Sequence, residues 1–295
     1  MQVKIRWKSG VLAVSGVVFD PKLTLMDSAQ CFLWREHEAR HYTVLNDSPL
    51  CLESSADGFR LYPVNELQVD DYIHYFDLAR DYAEVRARYA EVPVIAQAMD
   101  LLPGLRTLNQ PAWEVLICFI LSANNNVERI RKLTWLLCEH YGEQRELDGL
   151  TLRTMPSPAV LAAVPEAELR ALGVGYRAPY LIKTAEMVRD GFDLDVLQDM
   201  PCDDAVAALT QLSGVGEKVA NCVLLFGCGH ADAFPVDVWV ARLMHSWFPQ
   251  FDGLSNKKLA RASRAWLGDE VGIAQQFLFH CARCGLIALD DDEGR

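Results

Sequence analysis

The stretch Leu-Ser-Gly-Val-Gly-Glu-Lys-Val-Ala-Asn-Cys at residues 212–222, followed by Phe-Pro-Val-Asp at residues 234–237, decides the fold of this chain. Glycine accepts positive φ and has no Cβ, so Gly214-Val215-Gly216 predicts a tight hairpin between two helices. Backbone N–H groups in such a turn, at the start of the next helix, form a site for a phosphate oxygen. Taken alone, the glycines fit an ordinary turn between helices equally well.

Two side chains beside the hairpin are suited to chemistry. Lys218 falls in the first turn of the second helix, and Asp237, after Pro235-Val236, is placed to cap another helix. Lysine is protonated in neutral water, and both burial and the positive end of a helix favour its neutral form. A neutral amine can attack a sugar carbon, and a fixed carboxylate can stabilise the positive charge that develops there. The pattern therefore predicts amine chemistry on a nucleic-acid backbone.

Composition indicates a soluble globular protein of one large or two modest domains. The chain has 295 residues, of which 51% are hydrophobic and 23% are charged. No apolar run approaches membrane-spanning length, and the first residues lack the apolar segment of a signal peptide. A basic nuclear-import run is also missing from the sequence. We therefore expect a cytoplasmic protein, associated with the nucleoid in a prokaryote, rather than a nuclear or membrane protein.

The cysteines predict neither a disulfide framework nor a metal cluster. Nine are scattered along the chain, which favours reduced thiols. Cys281 and Cys284 form the one C-x-x-C pair in the sequence, and no cysteine follows them. Zinc and iron–sulfur sites need further ligands nearby. We expect no bound metal, no iron–sulfur cluster and no required cofactor, although a monovalent or divalent cation at the hairpin is compatible with the pattern.

The formal net charge of −12 is unfavourable for DNA binding at first sight. Affinity depends on the local face, however, and the acids concentrate between residues 66 and 91 and in the tail at residues 290–293. The basic residues that could form a DNA-facing surface fall in three groups: Arg129, Arg131 and Lys132; Arg177 and Lys183; and Lys257, Lys258, Arg261 and Arg264.

The first 65 residues predict an antiparallel sheet. Val3, Ile5 and Trp7 alternate with polar residues, and Asp57-Gly58 is a hairpin signal. Further β-prone runs occur at residues 30–34, 41–45, 50–53 and 59–62. A charged helix is expected from Asp81 to Glu91.

After Pro103-Gly104 the pattern becomes helical. Helices are predicted at residues 113–121, at 130–137, after Pro156 and Pro165, from the glycine-rich turn at 172–176 to Gly191, after Asp237, and at 272–286. The sequence thus predicts an α+β chain. A small N-terminal antiparallel β domain occupies residues 1–98, and an all-helical helix-hairpin-helix domain occupies residues 99–295.

The hairpin, Lys218 and the Pro-Val-Asp motif together resemble the helix-hairpin-helix Gly/Pro-Asp superfamily of DNA glycosylases. Within it, the chain resembles most the eukaryotic-type 8-oxoguanine DNA glycosylase/lyase family, over nearly its whole length. The segments that carry this resemblance are residues 27–34, 104–111, 119–130, 172–178 and 218–222. The resemblance implies a monomeric base excision repair enzyme that acts on double-stranded DNA containing an oxidised purine. Such an enzyme excises 8-oxoguanine opposite cytosine and then cleaves the strand by β-elimination.

The resemblance also assigns roles. Lys218 resembles the Schiff-base nucleophile and Asp237 the catalytic carboxylate. A base inside a duplex must be flipped out before it can react. Around the flipped base, Gln275 resembles the hydrogen-bonding residue, Phe279 and Cys222 the two stacking walls, and Ala29 the residue whose carbonyl meets the lesion. On the DNA side, Asn124 resembles the residue that fills the vacated space, Tyr176 the wedge, and Arg129 and Arg177 the donors that read the cytosine.

Taken one at a time, several of these residues have ordinary explanations. Phe279 and Cys222 fit a core, Gln275 fits a solvated helix face, and Tyr176 fits packing after a glycine turn. Asn124 fits the end of a helix, because asparagine tolerates left-handed backbone.

Three positions depart from the family pattern: Ala29 stands where glycine is usual, Trp239 replaces a histidine at a phosphate contact, and Asn221 replaces an acid. The alternatives are therefore a related glycosylase with a different oxidised-base preference or a non-catalytic helix-hairpin-helix DNA-binding module. A small-molecule enzyme that forms a Schiff base is a further alternative, which the hairpin disfavours.

Overall fold

The structure, a computed structural model, describes residues 3–287. Its N-terminal part is a six-stranded antiparallel sheet with strand order β1-β2-β6-β5-β4-β3. The strands are β1 (Lys4–Lys8), β2 (Val11–Ser15), β3 (Arg35–His37), β4 (Arg40–Leu45), β5 (Ser48–Ser55) and β6 (Gly58–Tyr62). The predicted sheet is confirmed, whereas the acidic tail at residues 290–293 lies outside the described residues.

The Asp57-Gly58 turn connects β5 to β6 as predicted, with Ser55 paired to Gly58. Gly58 is required there for space, because a Cβ would lie 2.2 Å from the carbonyl oxygen of Val14. Alternate residues of β2 and β6 are buried, so this sheet rests one face on a core, as expected for an antiparallel sheet.

The predicted strand at residues 30–34 is wrong. This segment pairs with no strand and follows a π-helical segment, Lys22–Asp27. Its side chains instead make the contacts that hold it: the Gln30 amide donates to the carbonyl oxygen of Arg106 at 2.8 Å and accepts from Leu108 N–H at 2.8 Å. Phe32 and Trp34 are both buried, in the helical core and the sheet core respectively. Because these side chains find their partners far along the chain, β-propensity does not decide the conformation of the segment.

The remainder of the described chain is mostly helical, which confirms the α+β fold class. The helices are α1 (Val69–Tyr75), α2 (Tyr82–Arg88), α3 (Pro93–Leu101), α4 (Ala112–Leu121), α5 (Val127–Tyr141), α6 (Pro158–Ala162), α7 (Glu166–Ala171), α8 (Ala178–Arg189), α9 (Cys202–Leu209), α10 (Glu217–Gly227), α11 (Val238–Trp247), α12 (Asn256–Leu267) and α13 (Val271–Arg283). The expected boundary between residues 98 and 99 falls inside α3, and the domain limits remain a prediction.

The helical part also contains a small hairpin that periodicity did not predict, formed by β7 (Gln144–Leu147) and β8 (Leu150–Arg153). Its turn is Asp148-Gly149, with φ of 51° and 76°. An Asp-Gly pair between alternating residues is a standard hairpin signal, so the information was present in the sequence. Leu152 packs with Tyr42 of β4, so the hairpin joins the helical part to the sheet.

Helix α4 lies at the centre of the helical part, and its residues from Val115 to Leu121 are all buried. It packs against α10, and both belong to one hydrophobic core with α5, α8 and α9. α10 starts at the glycine hairpin, so this central packing fixes where the second helix of the hairpin begins. No helix within residues 3–287 combines the length and the apolar character that crossing a bilayer requires.

Candidate active site

The glycine hairpin lies between α9 and α10, as predicted. Gly214 has φ of +77°, a left-handed conformation that favours glycine. A Cβ on Gly214 would lie 2.6 Å from Cβ and 2.7 Å from Cγ of Tyr180, so the hairpin rests directly on this tyrosine of α8. Thr184, one turn further along α8, donates its hydroxyl to the carbonyl oxygen of Ser213 at 2.7 Å. Helix α8 therefore sets the position of the hairpin.

Lys218 lies half-buried in the first turn of α10. Its Nζ donates to the hydroxyl of Ser122 at 3.2 Å and lies 4.8 Å from the ring centroid of Phe119. Both partners belong to the C-terminal end of α4. One hydroxyl and one aromatic face therefore lie directly beside this amine. Ser122 and Phe119 were not singled out as lysine partners from the sequence, because their role depends on the packing of α4 against α10.

Asp237 is the N-cap of α11, which confirms the sequence prediction. Its Oδ1 accepts from the backbone N–H of Val240 at 2.8 Å. This bond fixes the carboxylate at the helix N-terminus, where the helix dipole stabilises negative charge.

Asn221 connects the segment that leads to Asp237 with the helix that carries Lys218. Its Nδ2 donates to the carbonyl oxygen of Glu217 at 2.8 Å, and its Oδ1 accepts from the N–H of Phe234 at 3.0 Å. The side chain is buried, with 5% of the residue exposed. We refer to this pair of bonds as the Asn221 clamp.

A cavity of about 950 Å³ brings most of the predicted site residues together. Those that line it are Ala29, Asn124, Gly214, Gly216, Lys218, Cys222, Asp237, Gln275 and Phe279. Val215 is buried beneath the hairpin instead, and Arg129, Tyr176 and Arg177 lie outside the cavity lining. The cavity therefore brings together the predicted pocket and catalytic residues, the two hairpin glycines and Asn124.

The walls of the cavity are suited to a flat polar heterocycle. Cys222 follows Lys218 by one helical turn, and burial raises the pKa of the Cys222 thiol to about 11, so this wall is neutral at pH 7. Gln275 and Phe279 are one turn apart on α13. Gln275 is 4% exposed and its Oε1 has no hydrogen-bond partner within the described chain. Burying an amide oxygen without a partner is costly, so this atom is poised to accept a hydrogen bond from a ligand.

Ala29 lines the same cavity with φ of +61°, a conformation that alanine adopts at a cost of about 1–2 kcal/mol. On either side, the carbonyl oxygens of Ser28 and Gln30 accept from Gln276 and Gln110. No donor among the described residues reaches the carbonyl oxygen of Ala29 itself. The backbone thus offers a free acceptor next to a methyl group.

Asn124, Tyr176 and Arg177 form one group beside the cavity. Asn124 has φ of +48°, and its Nδ2 lies 3.3 Å from the hydroxyl of Tyr176. Four N–H groups of Arg177 donate to the carbonyl oxygens of Ala123, Asn124 and Val174. A guanidinium has five N–H groups, so one remains for another partner.

The two arginines that were expected to read the opposite base differ in exposure and in hydrogen bonding. Arg177 is buried and holds the asparagine loop, whereas Arg129 is exposed and donates to the carbonyl oxygen of Gly173 at 3.3 Å. Most donors of Arg129 are therefore free to meet a base, which is not the case for Arg177.

The basic group on α12 is largely paired with acids. Lys257 lies 2.7 Å from Glu217, and Arg261 and Arg264 both contact Asp203. These pairs connect α12 to both helices of the hairpin. They also reduce the positive charge that this group can offer to a phosphate.

The C-x-x-C pair at the end of α13 does not form a ligand group with other cysteines. Cys281 is buried and its thiol lies 3.8 Å from the carbonyl oxygen of Ala98, while Cys284 is exposed. The cation suggested at the glycine hairpin is not tested by the structure and stays a prediction.

Two family profiles match the chain. The profile described as "HhH-GPD superfamily base excision DNA repair protein" matches residues 117–268, and that of the "8-oxoguanine DNA glycosylase, N-terminal domain" matches residues 11–116.

Among similar proteins, one named "Probable N-glycosylase/DNA lyase" from Methanothermobacter thermautotrophicus is 32% identical over 86% of this chain and 90% of its own length. The "N-glycosylase/DNA lyase" of Saccharomyces cerevisiae is 39% identical over 48% of this chain and 41% of its own. A solved structure of Clostridium acetobutylicum 8-oxoguanine glycosylase/lyase, with double-stranded DNA containing cytosine opposite 8-oxoguanine, is 30% identical with a TM-score of 0.90. The match covers 97% of this chain and 100% of that one.

Proposed function

This chain belongs to the HhH-GPD superfamily of base excision repair proteins and carries the N-terminal domain of 8-oxoguanine DNA glycosylases, and from this premise we propose how its own residues act. The chain is a bifunctional DNA glycosylase and β-lyase that excises 8-oxoguanine opposite cytosine from duplex DNA. Lys218 is the nucleophile and Asp237 the carboxylate that stabilises the reacting sugar.

The observation that carries the assignment of residues is that one cavity collects four features. They are an amine on an aromatic floor, a carboxylate fixed at a helix N-terminus, a buried amide oxygen without a partner, and a free backbone carbonyl. The first two suit attack on a sugar carbon. The last two can hydrogen-bond the edges of a purine that has been flipped out of the duplex.

In the first step, the neutral amine of Lys218 forms a bond to C1′ while the C1′–N9 bond to the base breaks. Positive charge develops on the sugar in the transition state, and the carboxylate of Asp237 stabilises it electrostatically. The base takes up a proton as it leaves. The lysine nitrogen then gives up a proton, the C1′–O4′ bond breaks with O4′ taking up a proton, and the ring-opened sugar is held by Lys218 as a Schiff base. Loss of a proton from C2′ and departure of the 3′ phosphate complete β-elimination, and hydrolysis of the imine releases Lys218.

The pocket residues determine which base reacts. Cys222 and Phe279 stack on its two faces, Gln275 accepts a hydrogen bond, and the carbonyl oxygen of Ala29 accepts the N7–H that distinguishes 8-oxoguanine from guanine. Asn124 occupies the space that the flipped nucleotide leaves, and Tyr176 is the wedge beside the unpaired cytosine. Arg129 reads the cytosine, and Arg177 holds the asparagine loop in place while keeping one donor for the base.

Ala29 favours a second candidate, a related glycosylase with a different preference among oxidised bases. At a φ of +61° its methyl group stands beside the carbonyl that would meet the lesion. A ring-opened purine has rotatable bonds where 8-oxoguanine is a rigid bicycle, so it can meet this carbonyl at a different angle, and such lesions belong in the same assay.

Borohydride trapping tests both candidates. Duplexes carry 8-oxoguanine opposite each of the four bases, a ring-opened purine opposite cytosine, an abasic site opposite cytosine, or guanine opposite cytosine as the negative control. We expect a covalent adduct chiefly with 8-oxoguanine opposite cytosine, and none with Lys218→Gln. Adduct with the ring-opened purine in place of 8-oxoguanine would support the second candidate. No adduct with any lesion or with abasic DNA, despite duplex binding, would leave a non-catalytic DNA-binding module.

We further propose that the chain acts as a monomer in the cytoplasm, in contact with the nucleoid, and needs no bound cofactor for either step. Excision in excess EDTA by protein free of metal is the direct check on the last point.

A further inference from the structure

A group of three side chains with metal-ligand chemistry lies outside the cavity lining. Cys202 is the first residue of α9, and His230 and Asp232 belong to the loop that follows α10. The thiol sulfur, an imidazole nitrogen and a carboxylate oxygen all lie within 4.8 Å of one another. The Cys202 residue is buried, with 8% exposed.

The hydrogen bonds of His230 point to a missing positive charge. Its Nε2 lies 2.8 Å from the carbonyl oxygen of Leu197, which requires a proton on Nε2. Its Nδ1 lies 3.4 Å from the carboxylate of Asp232. A neutral imidazole with Nε2 protonated presents a lone pair to that carboxylate. The contact is favourable only if Nδ1 carries a second proton or if a cation lies between the two groups.

The third residue makes the group a potential metal site. With a proton on Nδ1, the imidazolium and the Cys202 thiol both face the Asp232 carboxylate, and these two protons are the ones that a metal ion would displace. One thiolate, one imidazole and one carboxylate are typical zinc ligands, and a zinc-bound histidine commonly donates its other N–H to a backbone carbonyl. We propose that Cys202, His230 Nδ1 and Asp232 bind a Zn²⁺ ion.

Arg264 completes the environment of the sulfur. Its Nη1 lies 3.3 Å from Sγ of Cys202, and its other Nη contacts Asp203. An N–H that donates to the sulfur offsets part of the cost of burying a thiolate. Zn²⁺, a thiolate and a carboxylate sum to zero charge, so the ion can sit beside the guanidinium without excess positive charge. The thiol proton, and any proton on Nδ1, passes to solvent when the metal binds.

The fourth position is open to water. The Asp232 side chain is 36% exposed, so the site reaches solvent on that side. The ion is structural, since none of its three ligands lines the cavity. It connects the start of α9 to the loop whose continuation, from buried Ala233 and Phe234, leads to Asp237. It would therefore hold one end of this segment, and the Asn221 clamp holds the middle.

Cobalt(II) substitution tests the site directly, because a Co²⁺–thiolate bond gives a charge-transfer absorption band that oxygen and nitrogen ligands do not. Full-length protein is freed of metal with a chelator and titrated with Co²⁺ and then Zn²⁺, with absorption spectra and melting curves recorded. We expect one equivalent of Co²⁺ to give the thiolate band, Zn²⁺ to displace it, and the melting temperature to rise with Zn²⁺.

The matched variants separate this cysteine from the others. Cys202→Ser should abolish the band and weaken Zn²⁺ binding by more than about 100-fold, beyond the 10–100-fold typical of losing an outer-shell partner. Asp232→Asn should weaken binding while leaving the band in place. Cys284→Ser, which removes an exposed thiol, should bind as the parent protein does. Circular dichroism of each variant reports whether it is folded.

Three results would overturn the proposal: no thiolate band with the folded parent protein, an unchanged band in Cys202→Ser, or a band lost in Cys284→Ser. If no metal binds and NMR shows the imidazole of His230 doubly protonated at pH 7, the group is an imidazolium–carboxylate pair. The excision reaction is assayed separately, so its outcome and that of the metal titration are independent.

Discussion

Asn221 joins the two segments that carry Lys218 and Asp237, and replacing it should therefore affect both folding and catalysis. Asn221→Ala removes the bonds to the Glu217 carbonyl and to the Phe234 N–H, of 2.8 Å and 3.0 Å. Each buried hydrogen bond contributes about 1 kcal/mol net, and a buried group left without a partner costs about 1–3 kcal/mol. We expect the free energy of unfolding to fall by about 2–4 kcal/mol.

Catalysis should also be affected, because the clamp fixes the position of the segment that carries Asp237. Without the clamp, the segment from Phe234 to Asp237 can move away from α10. A displacement of about 1 Å can reduce a rate by about 100-fold. We expect single-turnover excision to slow by about 10–100-fold, while an adduct still forms on preformed abasic DNA because Lys218 is intact.

Asn221→Asp separates the two hydrogen bonds of the clamp. An aspartate carboxylate at this position can still accept from the Phe234 N–H, but it has no proton to donate to the Glu217 carbonyl oxygen. Only the protonated acid can donate to that carbonyl, as the Asn221 amide does. Burial and the carbonyl raise the pKa of the new acid above its unfolded value of about 3.9. Its protonated form is the one favoured by folding, so stability is retained near pH 4 and lost as the pH rises.

The assay is urea unfolding together with single-turnover excision, at several pH values. Asn46→Asp, an exposed position, controls for the added charge. An Asn221→Ala protein with the parent urea midpoint and a rate within about twofold of the parent would refute the clamp. If Asn221→Asp has the same stability as Asn221→Ala at every pH, the hydrogen bond donated to the Glu217 carbonyl has no role in the clamp.

Three further changes have expected outcomes. In Gly214→Ala, the new Cβ would lie 2.6 Å from Tyr180 on a residue with φ of +77°, so the free energy of unfolding in urea should fall by about 1–3 kcal/mol and duplex binding should weaken. Gly216→Ala is the matched control, because its Cβ would have no neighbour within 4 Å. Equal effects of the two substitutions would contradict the argument. Ala29→Gly should raise the free energy of unfolding by up to about 1 kcal/mol, because glycine relieves the strain of the left-handed backbone. It should also speed excision of 8-oxoguanine, because the methyl group beside the carbonyl is removed. Slower excision would show that the methyl group aids recognition. Burial, and secondarily Arg283, lower the pKa of His280, so its neutral form is favoured by folding, and stability should fall as the pH drops below about 6.5. His280→Gln should reduce this loss between pH 7.5 and 5.5 in urea unfolding, whereas His37→Gln, at an exposed position, should not.

The local signals in the sequence are sufficient for the glycine hairpin at Gly214 and for the helix N-cap at Asp237. Gly214 and Asp237 are specified by backbone conformation and capping, which depend on a few neighbouring residues. The Asp148-Gly149 hairpin is signalled just as locally, but the helical periodicity on either side of it dominates the pattern. The segment at residues 30–34 was assigned wrongly because its hydrogen bonds go to residues far along the chain rather than to a neighbouring strand.

The contacts around the reactive groups could not be predicted from periodicity or motif. Ser122 meets Lys218 only because α4 packs on α10, and the two bonds of Asn221 span separate segments. Arg129 and Arg177 look equivalent in sequence, yet one is exposed and the other is committed to backbone carbonyls. Cys202, His230 and Asp232 are too widely spaced to form a recognisable ligand motif. Such relations arise from tertiary packing and need the structure.

The central claim is that Lys218 forms the covalent bond to the sugar. The most direct test is to reduce the complex with borohydride on duplex DNA containing 8-oxoguanine opposite cytosine, digest protein and DNA, and locate the sugar remnant by tandem mass spectrometry. We expect the remnant on Lys218 alone, in the peptide that follows the glycine hairpin. A remnant on another amine, such as Lys257, or a reduced sample that excises the base without any protein adduct, would contradict the account.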